Sequence, residues 1–504
     1  MGVQQSKRTK IVCTMGPASD SELTLRNLIA EGMDIARLNF SHGSQIEHLA
    51  RINRIKKVRR ELNAPTAIML DLRGPRIRTG ALVDGMPVRL QAGKQITLTE
   101  APVAGTSRLV QQTCAGLAGY MRPGTSILID NGLIELAVDE TRGSDIVCTV
   151  QNSGILREHK GMNFPGTQID LPIMSEHDER DLLFGIEQGV DFVAVPAVRD
   201  AADLAVVRAF LDGNGGAGIG LIAKIENERA VDNIAAIVDA CDGVVIARGD
   251  LGVEMDTERV PHIQKQIVRL CNERRVPVIV AGQMLESMIG EPRATRSDVA
   301  DVASAVYDGV DALMLSSETA LGKYPGTTVR MMVRIAAQTE RYLADSAANA
   351  AVRPGSDAST GAEEPVPVSP MVARAAVQTA HAVNASCIVC PTSTGRTARA
   401  VSKLRPRVPI YAVAPSEQVM RRMQLFWGVT PMSGGLPARV AMQQTIANAQ
   451  EQVLARSLVK PGDLAVFTAG DAQTSPETST VAGEAHAGTN VMYVVQIKDS
   501  ETNA

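Results

Sequence analysis

The sequence has little of what marks membrane, secreted or nucleic-acid-binding proteins. Aromatic residues make up 3% of the 504, with a single tryptophan, Trp427, so a core must be built from aliphatic side chains. The longest apolar runs, such as Phe192 to Val198 and Val276 to Ala281, fall far short of the roughly 20 residues a membrane helix needs. No apolar signal segment stands at the N-terminus. Lys+Arg number 51 against Asp+Glu 55, a net charge of -4, and no long block of one sign occurs, which argues against a nucleic-acid partner. The 7 cysteines are odd in number and scattered, which excludes a disulfide scaffold and fits a reducing, cytoplasmic location. The one C-x-x-C, Cys387-Ile388-Val389-Cys390, lies in a strand-like run whose alternation aims the two thiols apart, so neither zinc nor redox chemistry is expected there. Met1 to Ser6 fits the loose myristoylation pattern, but so short a match arises easily by chance, and a polar tail is the better reading. There is no Walker A motif. Gly213-Asn214-Gly215-Gly216-Ala217-Gly218 matches G-x-G-x-x-G but follows a helix-like segment and precedes a strand-like one, the reverse of the dinucleotide context, and reads as a turn.

What is present points to a globular enzyme. Hydrophobic residues are 45% and charged residues 21%, and the length suggests about three domains at roughly 150 residues each. Short apolar runs rich in Val, Ile, Leu and Ala recur without strict alternation, as in parallel strands buried on both faces. They are Lys10 to Gly16, Asp34 to Ser41, Ala67 to Gly74, Phe192 to Val198, Gly220 to Glu226, Val244 to Asp250, Val276 to Gln283 and Ala312 to Glu318. Helix-like segments such as Ser21 to Glu31, Ile46 to Leu62 and Val260 to Glu273 follow them. This pattern predicts an α/β fold with a (β/α)8 TIM barrel over residues 1–74 and 171–345. Residues 75–170 interrupt it with alternating, turn-rich stretches (Val88 to Leu98, Ser126 to Asp130, Ile146 to Gln151) and read as an inserted small β domain acting as a lid. Residues 346–370, rich in Ala, Ser, Gly and Pro, read as a linker, and 371–504 as a C-terminal α/β domain.

A barrel works at the carboxyl ends of its strands. Those ends carry Arg37, Asn39, Ser41 and His42; Asp71 and Arg73; Lys224 and Glu226; Arg248 and Asp250; Gln283; and Ser316, Ser317 and Glu318. Charge at the mouths of apolar strands is costly unless it binds something, the alternative being an internal ion-pair network. Lys224 and Glu226 are two apart on one strand and share a face, and Asp250 ends the next strand. Two such carboxylates suit a Mg²⁺ that keeps sites for phosphate and water. The turn Arg248-Gly249-Asp250-Leu251-Gly252 can bring backbone N–H groups to an anion. Metal, Arg and Lys together are the equipment of phosphoryl transfer.

The segments that carry these residues resemble the pyruvate kinase family. They are Lys10 to Ser19, Ala36-Arg37-Leu38-Asn39-Phe40-Ser41-His42-Gly43, Ala223-Lys224-Ile225-Glu226-Asn227, Ala247 to Glu254, Gln283-Met284-Leu285-Glu286-Ser287-Met288 and Met314 to Ala320. The resemblance spans nearly the whole chain and implies phosphoryl transfer from phosphoenolpyruvate to ADP. It implies Glu226 and Asp250 as ligands of Mg²⁺ or Mn²⁺, Lys224 as the charge on the moving group, and Arg37 as the phosphate holder. The amides of Gly249 and Asp250 would take the substrate carboxylate, with position 282 beside the reacting enolate. His42, Arg78 and Lys160 would line the nucleotide phosphates. A homotetramer and a sugar-phosphate or nucleotide effector are also implied. Thr392-Ser393-Thr394-Gly395-Arg396-Thr397, between a strand and a helix, resembles the effector phosphate loop, with Gly488-Thr489-Asn490 nearby; plain N-capping is the alternative for these hydroxyls.

The chain departs from the family's pattern in places. Leu70 to Gly80 resembles L-D-T-K-G-P-E-I-R-T-G, but Leu72 stands for Thr and Arg76 for Glu. The resemblance makes Asn39, Ser41, Asp71 and the Leu72 carbonyl the K⁺ ligands. Arg76 is expected to supply the positive charge instead, so that K⁺ is not required; a solvated surface arginine is the alternative. Gly282 stands where the family has Thr and Ser317 where it has Gly, so enolate protonation would rely on water arranged by Ser316 or Ser317. Arg293 to Asp298 departs from P-T-R-A-E while keeping Arg296. A second reading is therefore a catalytically weakened paralogue that binds phosphoenolpyruvate or metabolites for regulation. A pyruvate-enolate lyase or aldolase fits the inserted lid and effector-type domain less well.

Overall fold

The computed structural model describes residues 7–350, 368–434, 440–470, 478–481 and 484–498. The N-terminal hexapeptide and most of the 346–370 segment lie outside the described residues.

The eight apolar runs form a closed parallel barrel. Its strands are β1 (Lys10–Thr14), β2 (Ile35–Asn39), β3 (Ala67–Asp71), β4 (Phe192–Val195), β5 (Gly220–Ile225), β6 (Gly243–Ala247), β7 (Val278–Ala281) and β8 (Ala312–Leu315), and β1 closes the ring between β8 and β2. Alternate residues face two cores. Val12, Ile35, Met69, Ile222, Val245 and Ile279 fill the barrel interior. Ile11, Leu70, Val193, Leu221 and Val280 pack outward under the helices. Both faces are thus buried, which is why the runs carry no polar alternation. Capping residues start the surrounding helices. Ser21 Oγ accepts from the Thr24 N–H ahead of Glu22–Glu31, and capping boxes at Ser44, Ser175 and Thr295 open Gln45–Glu61, Glu176–Glu187 and Arg296–Asp308.

The insertion between β3 and β4 folds on a core of its own, including Leu98, Ile127, Leu136, Ile146 and Phe164. Its main sheet has six strands, with Ile134–Arg142 and Asp145–Val150 as the central hairpin. The stretch Val88 to Leu98 is two strands, Val88–Leu90 and Gln95–Thr99, because the chain turns at Gly93 with φ +78°. Ile134–Arg142, the longest strand of the insertion, escaped the sequence reading; its outer half is exposed throughout and shows no alternation.

The last barrel helix, Pro325–Ala350, runs past residue 345, and the next, Val368–Ala382, opens before 371. The C-terminal sheet contains β9 (Cys387–Pro391), β10 (Ile410–Ala414), β11 (Val429–Ser433), β12 (Leu464–Ala469) and β13 (Val491–Gln496) in the order β11–β10–β9–β12–β13. Only β13 runs antiparallel to its neighbour. Cys387 and Cys390 fall into separate cores on the two faces of β9. Gly213 ends the helix Ala201–Gly213 ahead of β5, so the G-x-G-x-x-G match is a turn.

Candidate active site

The carboxyl ends of β2, β3, β5 and β6 converge beneath the inserted domain. Arg37, the third residue of β2, is buried and points across to β3. Its Nε donates to Asp71 Oδ2 at 2.7 Å and its Nη1 to Thr14 Oγ1 at 2.8 Å. Thr14, at the end of β1, was not singled out from the sequence; its position one strand over from Arg37 was the available signal.

Lys224 lies between two carboxylates, with Nζ 2.6 Å from Glu226 Oε1 and 3.4 Å from Asp71 Oδ1. Burial alone would lower its ammonium pKa, but Asp71 and Glu226 raise it, so the lysine stays a cation. Burial likewise works against the Asp71 carboxylate, and Lys224 and Arg37 reverse that and hold it below the usual range. Glu226 Oε2 accepts from the Ala197 N–H at 2.9 Å. Glu226 Oε1 and Asp71 Oδ1 are both buried and, despite their ion pairs with Lys224, accept no hydrogen bond. Asp250, in the first turn of the helix Arg248–Glu254, has its carboxyl pushed up to about 6 by burial and then by Glu226, with Lys224 and Arg76 opposing.

A buried carboxylate oxygen that is ion-paired but accepts no hydrogen bond, close to a second carboxylate that resists ionising, is what a divalent cation would relieve. Glu226 and Asp250 fit such an ion. No group of three or more His, Cys, Asp or Glu that could hold a metal occurs among the described residues. The remaining ligands would come from substrate and water, as suits Mg²⁺. Bound there, the ion would supply positive charge to phosphate oxygens.

A cavity of about 530 Å³ opens between the barrel mouth and the insertion, lined by Arg76, Glu226, Asp250 and Glu254 below and Met162, Asn163 and Phe164 above. Arg76 projects into it, accessible to solvent yet walled in by both domains. Burial would lower its guanidinium pKa, and Glu226, Asp250 and Asp71 raise it. It makes no ion pair within 4 Å among the described residues. His42 sits in the field of Arg78, Arg76, Arg37 and Arg73, and partial burial together with these cations keeps the ring below its usual value. Asn39 Oδ1 accepts the Ser41 N–H at 3.1 Å, and the Leu72 side chain is buried in the outer core.

Other expected residues are otherwise engaged. Lys160 pairs with Asp130 at 2.9 Å within the insertion, and Arg78 Nη1 donates to the His159 carbonyl at 2.9 Å. Arg248 grips Asp301 through two 2.6 Å contacts and also reaches the Gly282 carbonyl, so it braces the site from behind rather than facing it. Glu318 ties the Ser316 N–H (2.7 Å) to the Leu285 N–H (3.2 Å) and is structural. Ser316 follows β8 directly. Gly282 has φ +100°, and a Cβ there would lie 2.9 Å from the Gly249 amide nitrogen. Asn163 Nδ2 donates to Glu254 Oε1 at 2.7 Å, a contact between insertion and barrel that sequence reasoning missed. In the C-terminal domain, the loop Thr392 to Thr397 joins β9 to the helix Arg396–Ser402. The Thr392 hydroxyl accepts the Gly395 N–H at 2.9 Å, and the Thr397 and Thr489 hydroxyls meet at 2.9 Å, far in sequence from the barrel mouth.

Residues 6–329 match the family model "Pyruvate kinase, barrel domain" and residues 371–494 match "Pyruvate kinase, alpha/beta domain". A pyruvate kinase of Clostridium acetobutylicum is 40% identical over 471 residues, covering 92% of this chain and 96% of that one. One from Geobacillus stearothermophilus is 42% identical over 467 residues, covering 92% and 78%. The crystal structure of a pyruvate kinase from Cryptosporidium parvum superposes with a TM-score of 0.85 at 34% identity, covering 99% of this chain and 100% of the other. With the charged barrel mouth, the inserted domain and the C-terminal sheet all accounted for by these matches, the chain belongs to the pyruvate kinase family.

Proposed function

We propose that the protein transfers the phosphoryl group of phosphoenolpyruvate to ADP, giving pyruvate and ATP. The observation that carries this reading is Lys224 fixed between Asp71 and Glu226, with Glu226 Oε1 left without a hydrogen bond beside Asp250. A cation held by two anions, beside two carboxylates that would hold a divalent ion, stabilises charge on a phosphoryl group in flight. Glu226 and Asp250 hold Mg²⁺ or Mn²⁺, Lys224 accompanies the moving group, and Arg37 holds the substrate phosphate. The Gly249 and Asp250 amides take its carboxylate against Gly282, and Ser316 orders the water that protonates the enolate. His42, Arg78 and Lys160 line the ADP phosphates, with Lys160 exchanging Asp130 for the nucleotide. Residues 75–170 close over the barrel of 1–74 and 171–345 and exclude water. Arg76 takes the place of K⁺ beside Asn39, Ser41, Asp71 and the Leu72 carbonyl. In the C-terminal domain (371–504), the loop Thr392, Ser393, Thr394, Gly395, Arg396 and Thr397 holds the phosphate of a sugar-phosphate or nucleotide effector. The enzyme works in the cytoplasm as a homotetramer.

Pyruvate formation coupled to lactate dehydrogenase, with phosphoenolpyruvate, ADP and Mg²⁺, tests this reading. Turnover in the native chain and its loss in Glu226→Gln are expected. Phosphoenolpyruvate binding without turnover would favour the weakened-paralogue reading, which Gly282 motivates.

A further inference from the structure

The opposite, N-terminal face of the barrel carries a fourfold repeat. Gly32-Met33-Asp34, Gly189-Val190-Asp191, Ala240-Cys241-Asp242 and Gly309-Val310-Asp311 each set a small residue, an apolar residue and an aspartate immediately before β2, β4, β6 and β8. Each aspartate reaches sideways to the odd-numbered strand beside it. Their carboxylates accept the N–H groups of Ile11 in β1 (2.7 Å), Ile68 in β3 (2.9 Å), Leu221 in β5 (2.8 Å) and Val278 in β7 (2.8 Å). The four odd strands are therefore held at their starts by a ring of carboxylates.

Three members of the ring are neutralised from the C-terminal domain. Arg421 Nε meets Asp191 Oδ1 at 2.8 Å, with the barrel's own Arg59 at 3.8 Å from the other oxygen, and Arg422 stands 3.8 Å from Asp242, which also pairs with the barrel's Arg208. Lys403 pairs with Asp311 Oδ2, and Arg405 reaches Oδ1 at 3.1 Å. Asp34 is served by Lys7 and Lys10 instead. Two of the carboxylates are dry, Asp191 and Asp311 being 1% and 0% exposed, and so is Lys403 at 3%, whereas Arg422 and Asp242 meet at the surface. Leu425, in the same C-terminal segment as Arg421, enters the barrel's inner core with Ile222, Val245 and Ile279.

Each strand gripped in this way leads to the active site at its other end. β3 ends on Asp71, β5 carries Lys224 and runs into Glu226, and β7 leads to Gly282 against the Gly249 amide. A strand this short and hydrogen-bonded on both sides is stiff, so a small displacement or tilt at its start is carried to the side chain at its end. We propose that Lys403, Arg405 and Arg421 are positioning residues of the active site: through Asp311 and Asp191 they set β7 and β3, and the C-terminal domain thereby fixes how well the barrel mouth receives phosphoenolpyruvate. The inference rests on the site assignment above. If the strand starts sample a displaced position once a cation is lost, apparent substrate affinity falls by the fraction still competent, while saturating substrate restores the competent arrangement.

Full-length Lys403→Met and Arg421→Met, assayed with saturating ADP and Mg²⁺ over a range of phosphoenolpyruvate, are expected to raise KM threefold or more with kcat within twofold. Lys403→Arg, which keeps the charge, is expected to return KM to within twofold of the parent. Arg456→Met, an exposed change in the same domain away from the ring, is expected to leave both constants unchanged. Unaltered KM in both Met variants, a fall in kcat at constant KM, or no rescue by arginine would overturn the inference. Should Lys403→Met not fold, Asp311→Asn combined with Lys403→Met removes both charges, while the amide oxygen introduced at position 311 still accepts the Val278 N–H. A raised KM in that pair supports the inference and a normal one overturns it. An active Glu226→Gln would sink the site assignment itself, whereas a normal KM in the Met variants with Glu226→Gln dead sinks only the coupling.

Discussion

Arg37 Nε donates to Asp71 Oδ2 across 2.7 Å, binding the end of one barrel strand to the end of the next, and Lys224 approaches the other oxygen of the same carboxylate at 3.4 Å. One buried anion thus aims two cations whose positions matter for a phosphate. Asp71→Ala removes this shared anchor, leaving Arg37 with Thr14 and Lys224 with Glu226 as their remaining partners. We expect kcat/KM for phosphoenolpyruvate to fall by about two orders of magnitude, roughly 3 kcal/mol of transition-state stabilisation. The lactate-dehydrogenase-coupled rate measures it, and a loss under tenfold contradicts the assignment.

The pH behaviour of metal binding follows from Asp250. Its carboxyl is pushed up to about 6 by burial and by Glu226, against an ordinary value of 3.8. A carboxyl raised in the folded state keeps its proton below that value, and a divalent ion must displace the proton to bind. Apparent Mg²⁺ or Mn²⁺ affinity is therefore expected to be flat above about pH 6 and to weaken by about tenfold per unit below it. Mn²⁺ binding followed by electron paramagnetic resonance between pH 5 and 8 gives the profile. Glu226→Gln, which removes the second cause of the shift, is expected to move the break to lower pH.

Gly282 permits a close approach that a side chain would block. With φ at +100° and the Gly249 nitrogen 2.9 Å from where a Cβ would stand, Gly282→Ala is expected to cost about 1–3 kcal/mol. Gly282→Thr, branched at the same atom, is expected to cost more. Restoring the family's hydroxyl at this position should therefore slow the enzyme, unless the backbone at 249 also moves. Calorimetric melting and kcat on both variants decide it, and a faster Gly282→Thr refutes the clearance argument.

The hydrogen bond from Asn163 to Glu254 joins the inserted domain to the helix that carries Asp250. Burial and then the nearby Asp250 and Glu226 raise the Glu254 carboxyl above its usual value, with the Asn163 bond opposing. Asn163→Leu is expected to raise KM for ADP several-fold while Mg²⁺ binding to the free enzyme holds. Steady-state kinetics with ADP varied, beside direct Mn²⁺ binding, separates the two effects.

Arg76 is expected to make the enzyme indifferent to K⁺. With tetramethylammonium as the sole monovalent cation the native chain should keep more than half its activity, whereas Arg76→Glu should become dependent on added K⁺. A tenfold fall in the native chain without K⁺ would overturn the substitution.

Much of this architecture can be read from the chain. A strand buried on both faces has to be apolar along its length, so Val276 to Gln283 and Ala312 to Glu318 announce themselves, and the first charge after each run marks the barrel mouth. What escaped detection depended on partners distant in sequence. Arg248 looks like a substrate ligand until Asp301, 53 residues on, captures its guanidinium. Glu318 looks available until it is seen holding the Ser316 and Leu285 amides. The aspartates ahead of β2, β4, β6 and β8 were legible as a repeated small–apolar–Asp signature, but their meaning needed the neighbouring strand and the domain beneath. Ile134–Arg142 was missed although Ile134, Leu136 and Val138 alternate with more exposed residues; its last four residues are exposed on both faces and carry the period no further.

The seven thiols of the described chain carry a practical consequence. Cys13, Cys114, Cys148, Cys271, Cys387 and Cys390 are buried and only Cys241 is partly accessible. Burial pushes Cys148, Cys241 and Cys387 up to about 12. Thiolate, the form that reacts, is almost absent from the native fold at neutral pH. Each core holds at least one such residue: Cys13 and Cys271 in the barrel, Cys148 in the insertion, Cys387 and Cys390 in the terminal sheet. Alkylation read by mass spectrometry would then work as three separate clocks on one molecule, each starting when its own domain opens.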